Sequence, residues 1–203
     1  NSYHALDVRC GLVVVRNTIL TSSSGPVVCL QDQPLQPAAF FTKRFTSERP
    51  SRLIIHSSKI MNGAQGGILV ADKTNVSLRQ VHVTNNSACG LELRKGGSAQ
   101  AANCHFYGNG RQGIMIWMSA GRLDAWNCWL HSNTTESGAL VSEGEALFES
   151  CEFYGNGAAG VVAQQGGILE LRKCLVHDNL EGVLIQDTGV ATVDRCDVYR
   201  NRS

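Results

Sequence analysis

The sequence predicts an all-β fold: a single-stranded right-handed parallel β-helix of about 8 coils of ~23 residues, with three short strands in each coil. Three observations carry this. A cysteine-centred unit recurs at near-constant spacing, as in "CHFYGNGRQGIMIW" from Cys104 and "CEFYGNGAAGVVAQ" from Cys151. Apolar residues alternate with polar ones in short runs, which is the period of a strand. Asn and Gly return at fixed offsets, where a chain must turn.

The repeat is clearest at its cysteine position, taken as zero. Ser58, Val81, Cys104, Cys128, Cys151, Cys174 and Cys196 occupy it, with steps of 23, 23, 24, 23, 23 and 22 residues. A diverged first copy fits with Asn17 at zero. Two residues later stand Ile60, Val83, Phe106, Leu130, Phe153, Val176 and Val198. Three and five residues earlier are further apolar pairs, such as Leu123 with Ala125 and Leu169 with Leu171. Residues of this parity form the core. Asn86, Asn109, Asn133, Asn156, Asn179 and Asn201 lie five residues after zero, and predict a turn in which stacked amides form a ladder. Gly67, Gly90, Gly113, Gly138, Gly160 and Gly182 follow, and are expected to supply positive φ at the turn exit. Each opens another short strand, such as Ile114–Ile116. A helix has no room in such a unit, and a strand of this length buries its apolar face only by stacking on its neighbours.

Residues 1–203 are expected to form one β-helix domain belonging to a longer chain, because the sequence starts abruptly inside folded-looking residues. Residues 30–50, with three of the four prolines, are expected to be a loop inserted between the first and second coils. The net charge of +1 gives no reason to expect nucleic acid or a membrane surface as partner. No run approaches the ~20 apolar residues of a membrane helix, and no signal-peptide pattern opens the chain.

The five cysteines at zero have core parity and are expected to be small apolar fillers. Cys10, Cys29 and Cys89 lie off that register. Ligands spaced ~23 residues apart in a line do not converge, so no metal is expected, and no cofactor motif is present. Unpaired core thiols point to a reducing compartment, hence an intracellular (cytoplasmic or nuclear) location.

The outward residues carry the functional question. Three after zero comes a Tyr/His column: Tyr107, His131, Tyr154, His177 and Tyr199, preceded by Met61 and Thr84. Two after each glycine comes a mostly apolar column, Leu69, Glu92, Met115, Leu140, Val162 and Leu184, which Trp117 extends. An outward apolar stripe needs a cover or a partner. The candidate partner-binding residues are therefore Met115, Trp117, Leu140, Val162 and Leu184, with Tyr107, His131, Tyr154 and His177. Glu149, Arg172 and Asp194 share one outward column, and their alternating signs predict pairing between coils. No catalytic residue is assigned: the outward acids fall in different columns and form no convergent pair.

Cys104 to Ile116 and Cys151 to Ala163, in the pattern CxFxxNxxxGIxI, resemble the right-handed β-helix repeats of pectate-lyase-like proteins and of the carbohydrate-binding and sugar-hydrolase (CASH) repeats. In character they are most similar to the repeats of eukaryotic β-helix F-box proteins and the Shc-binding protein. That resemblance implies a non-catalytic module recognising a protein partner, for substrate recognition or scaffolding. The wider resemblance implies the alternative, a carbohydrate-active enzyme (lyase, hydrolase or C5-epimerase) or sugar-binding module, with a polysaccharide as partner. The lyase and epimerase motifs of that group are absent from these residues, so the reading leans away from an enzyme. Uncapped sheet edges also predict end-to-end self-association.

Overall fold

The computed structural model describes residues 4–9, 11–22, 24–31, 51–119 and 121–203. Their 24 strands, numbered β1 to β24 in chain order, contain no helix. Every third strand joins the same sheet, so three parallel sheets of eight strands each wrap one core, and the chain makes seven turns from the first strand of a sheet to the last. This is the coiled architecture that the ~23-residue period requires. Most of the loop expected at 30–50 lies outside the described residues.

The fifth coil shows why these residues form these elements. It comprises β13 (Ile114–Trp117), β14 (Arg122–Trp126) and β15 (Trp129–His131). Ile114, Ile116, Leu123, Ala125 and Leu130 point inward and are buried, while Met115, Asp124 and Trp129 alternate outward. Equivalent residues pair in register from coil to coil, as in Leu91 to Ile114 to Ala139 to Val161. Phe106, Phe148 and Phe153 are the largest wholly buried side chains, with Phe148 and Phe153 meeting edge to face at 5.0 Å. Burying each contributes roughly 1.5–3 kcal/mol.

Single residues in the left-handed region make the corners. Between the second and third sheets these are Asn17, Ser57, Gln80, Asn103, Asn127, Ser150, Lys173 and Arg195, with φ of 47 to 55°. This alignment corrects the first copy. The Lys59 N–H donates to the Thr18 carbonyl and Ile19 pairs with Lys59, so Thr18 stands at zero and Asn17 at the corner. An asparagine suits the corner because its amide tolerates left-handed geometry.

The asparagine ladder forms as expected. Asn86, Asn109, Asn133, Asn156 and Asn179 are buried. Each Nδ2 donates to the next coil's Oδ1, at 2.9 to 3.1 Å from Asn86 through to Asn201. The glycines act differently from the expectation. None of Gly67, Gly90, Gly113, Gly138, Gly160 or Gly182 has positive φ. They are glycine because a Cβ would strike the ladder. At Gly113 it would lie 2.7 Å from the Gly138 carbonyl oxygen and 2.9 Å from Asn133 Nδ2.

Cys104, Cys128, Cys151 and Cys174 fill the core in a column, with Cys196 half-buried at its end. All cysteines among the described residues are free. The zero-position thiols also serve the turn: Sγ of Cys104 donates to the Ala102 carbonyl (3.2 Å) and Sγ of Cys151 to that of Glu149 (3.4 Å).

Candidate functional site

The third sheet is built from strands of three residues, so each presents its first and third side chains outward around a buried middle one. The third-position row is the Tyr/His column. Tyr107, His131, Tyr154, His177 and Tyr199 stack continuously, with centroids 4.6 to 5.4 Å apart and planes within 13° of parallel. The first-position row holds a second stack that the sequence reading missed. His82 and His105 lie 4.6 Å apart at 1°, and His105 and Trp129 4.5 Å apart at 10°. The available signal was simple: the residue directly after the zero position is also outward by parity.

The ring centroids repeat at about the 4.7–4.9 Å spacing of the strands that carry them. The two rows cross at 85 to 88° in a herringbone. In the first row, Trp129 is followed by Glu152 and His82 is preceded by Lys59, so the row holds no further ring beyond these three at either side.

Beside this row runs an open groove of about 730 Å³, spanning several coils. His82, His105 and Trp129 line it with the corner amides Asn17, Gln80 and Asn103, the hydroxyls of Thr18, Ser57 and Ser58, and Lys59. Its chemistry is a partly aromatic floor with neutral hydrogen-bonding walls and one cation. Among the described residues no carboxylate lines it. Burial holds His82 below the ordinary histidine range, helped by Lys59; burial and then His82 do the same to His105. Neutral imidazoles here offer one donor and one acceptor each.

The other end of the sheet differs. His177 Nε2 lies 2.9 Å from Glu152 Oε1, and Nδ1 lies 2.7 Å from Asp178 Oδ2. Burial alone would lower its pKa, but the two carboxylates outweigh that and raise it. His131 is lowered by burial and then by His105. With both nitrogens engaged, His177 locks two acids in place and has no lone pair free for proton abstraction.

The apolar column lies on the first sheet and is smaller than its letters suggest. Leu69 and Val162 are 7% and 5% exposed, while Met115, Leu140 and Leu184 are half-buried. Met115 Sδ lies 3.6 Å from Cys89 Sγ. Trp117, in the next outward row, donates its indole N–H to Glu92 Oε1 at 2.7 Å. Cys29 belongs to the apolar column too, paired with Leu69. Glu149, Arg172 and Asp194 share their register, yet the ion pairs run elsewhere: Arg172 with Glu170 (2.5 Å), Lys173 with Glu149 (3.7 Å) and Arg195 with Asp194 (2.9 Å). The corner and same-strand residues reach these acids more directly than the residue above.

Among the described residues no three His, Cys, Asp or Glu side chains converge as metal ligands.

A family profile described as "right handed beta helix region" matches residues 1–135 and 118–203. No curated protein matches the sequence. Two solved structures share the fold. The periplasmic alginate epimerase AlgG superposes with a TM-score of 0.68 at 16% identity, over 91% of this chain and 43% of that one. A point mutant of AlgG gives 0.62 at 15%, over 92% and 42%. The chain therefore spans less than half the length of these structures.

Proposed function

The chain belongs to the right-handed β-helix family, and on that premise we propose that it is a carbohydrate-active module which seats an extended glycan in the groove beside His82, His105 and Trp129. The observation that carries this is the groove itself. Its open course along the coil axis suits a linear polymer, and its walls repeat once per coil, offering hydroxyls and amides at regular spacing. The ring row gives a sugar an apolar contact surface, and the neutral imidazole edges take its hydroxyls. Lys59 is placed to neutralise an acidic sugar's carboxylate. The fold shared with an alginate epimerase supports a carbohydrate-active role. His82 and His105 are the groove groups able to accept a proton, which is what turnover of a uronate at its C5 carbon demands.

Titration calorimetry against a panel of linear neutral and acidic polysaccharides tests the proposal. Binding is expected, and Trp129→Ala should weaken it about two- to twelvefold while leaving the fold intact, since losing an aromatic stacking contact costs roughly 0.5–1.5 kcal/mol. Silence across the panel, or binding indifferent to Trp129→Ala, sinks the reading.

Protein recognition is the second reading, favoured by one observation. Trp117 and Met118 flank a hollow of about 530 Å³ on another face, next to the Met115 row. It requires that Met115→Ser with Trp117→Ser abolish capture of a protein partner while glycan binding is untouched.

A further inference from the structure

Charge is unevenly placed along the chain. Residues 1–103 hold eleven Lys and Arg against five Asp and Glu, and residues 104–203 hold seven against twelve. The fold gathers much of the first excess onto two sheets. In the second sheet β5 (Arg52–His56), β8 (Asn75–Arg79) and β11 (Ser98–Ala102) follow one another, and in the third β6 (Lys59–Met61), β9 (His82–Thr84) and β12 (His105–Tyr107). None of these six strands contains an acid. Asp72 and Glu92, the two carboxylates between residues 51 and 103, fall at the corner of the first and second sheets and on the first sheet. The ion pairs divide in the same way. Arg122, Arg172, Lys173 and Arg195 each pair with a carboxylate in the later coils. Among the described residues no ion pair engages Arg52, Lys59 or Arg79. Unpaired cations on neighbouring strands repel one another, and an anion bound among them relieves that repulsion.

Arg79 is placed to use this field. It is exposed, ends β8 and stands directly before Gln80, a corner amide of the groove. Its carbonyl accepts from the Ser57 N–H (3.0 Å), and Ser57 Oγ donates to Gln80 Oε1 (3.2 Å), so its backbone is tied to the groove wall. Lys59 lies across the corner, one coil earlier. In register beyond Arg79 come Ala102 and then Trp126, which is 37% exposed and stands on the other side of the corner from Trp129. Two coils, about 10 Å, separate Arg79 from Trp126. The next residues along the two tryptophan rows are Glu149 and Glu152.

We infer that Arg79, with Lys59 across the corner, sets the specificity of the groove: the pair takes an anionic substituent of the glycan, and the tryptophans two coils away take a different sugar of the same polymer. The assignment rests on the groove's being a glycan seat. A guanidinium presents parallel N–H donors that match the oxygens of a carboxylate or a sulfate, and Lys59 adds a point charge. Glu149 and Glu152 repel the same substituent, so a uniformly charged polymer is held over the early coils and turned away from the later ones.

Titration calorimetry of the 203-residue chain against matched glycans is the test. Polygalacturonate and its fully methyl-esterified form differ by a carboxylate charge on one backbone; dextran sulfate and dextran differ by sulfate. The charged member of at least one pair should bind more tightly, with a preference that shrinks as salt is raised. The pair that shows it tells carboxylate from sulfate. Arg79→Gln should cut the preference about two- to fivefold, as the loss of an exposed ion pair does. Arg172→Gln removes the same charge from a residue already paired with Glu170 and should leave the preference as it was, which separates local recognition from net charge. Circular dichroism on both variants checks the fold. Equal binding of charged and neutral members, or a preference that Arg79→Gln lowers no more than Arg172→Gln does, overturns the assignment and leaves the glycan seat standing. Binding by no member removes both.

Discussion

Replacing Asn133 by alanine should be among the most damaging changes in the chain, although it removes only a small polar side chain. The amide Nδ2 donates to Asn156 Oδ1 (2.9 Å) and to the Phe106 carbonyl (3.3 Å). Its Oδ1 accepts from Asn109 Nδ2 (3.1 Å) and from the Asn109 backbone N–H (3.2 Å). Asn133 and its neighbours in the ladder are buried, so water cannot replace the lost partner. Asn156 Oδ1 keeps the Asn133 N–H (3.3 Å) and Asn109 Nδ2 keeps the Val83 carbonyl (3.2 Å). The Asn109 N–H and the Phe106 carbonyl lose their ladder contacts. Two such buried groups at roughly 1–3 kcal/mol each give a loss of roughly 2–6 kcal/mol, a large part of a typical domain's stability. Asn201→Ala is the comparison at the last rung: it too removes a partner from a backbone N–H, that of Asn179 (3.0 Å), and from a carbonyl, that of Val176 (3.0 Å), but Asn201 is only half-buried, so water can take up part of the lost bonding and the loss should be smaller, about 1–2 kcal/mol. Urea denaturation followed by circular dichroism reads both, with the m-value checked because repeat proteins can unfold in parts. If Asn133→Ala costs no more than Asn201→Ala, the ladder is not a stabilising element and the reasoning fails.

Gly113→Ala should cost roughly 3 kcal/mol or more through overpacking against the ladder and the Gly138 carbonyl, whereas Gly166→Ala, with nothing within 4 Å but φ of +75°, should show only a strain penalty of about 1–2 kcal/mol; equal losses in denaturant melts would contradict the steric account. Histidine titration should show two opposite signs. The His177 pKa is raised above its ordinary 6.5, so its contribution is complete below that pH and is lost as pH rises through the folded value. His82, His105 and His131 are lowered, so they weaken the fold as pH falls from 6.5 toward their folded values. His177→Gln should therefore lower the melting temperature more at pH 5 than at pH 8 (roughly, from the ordinary histidine value); a uniform loss would refute the double carboxylate clamp.

Much of the architecture was legible because a solenoid makes long-range structure periodic in one dimension. Cys151 and Phe153 declare the inward parity, and Asn156 declares the corner, so the three sheets follow from counting. The site was legible only in part. The Tyr/His column was visible because Tyr107, His131, Tyr154 and His177 alternate in type at one offset. His82, His105 and Trp129 escaped notice because their column continues into Glu152 and Leu175 and so looks mixed. Only the structure shows that the first three rings stack.

The sequence by itself determined the coil, its three strands, the buried thiol column and the amide ladder. Each depends on parity and period, which a repeating chain writes along its length. Tertiary structure alone decided why the glycines are glycine, which acids hold His177, and how far the apolar column is covered. Those answers depend on contacts between side chains some 23 residues apart, such as Gly113 with Asn133 or His177 with Glu152. Distances of that kind are set by how neighbouring coils close over one another and by the rotamers each side chain adopts there, and neither is encoded in the spacing of letters.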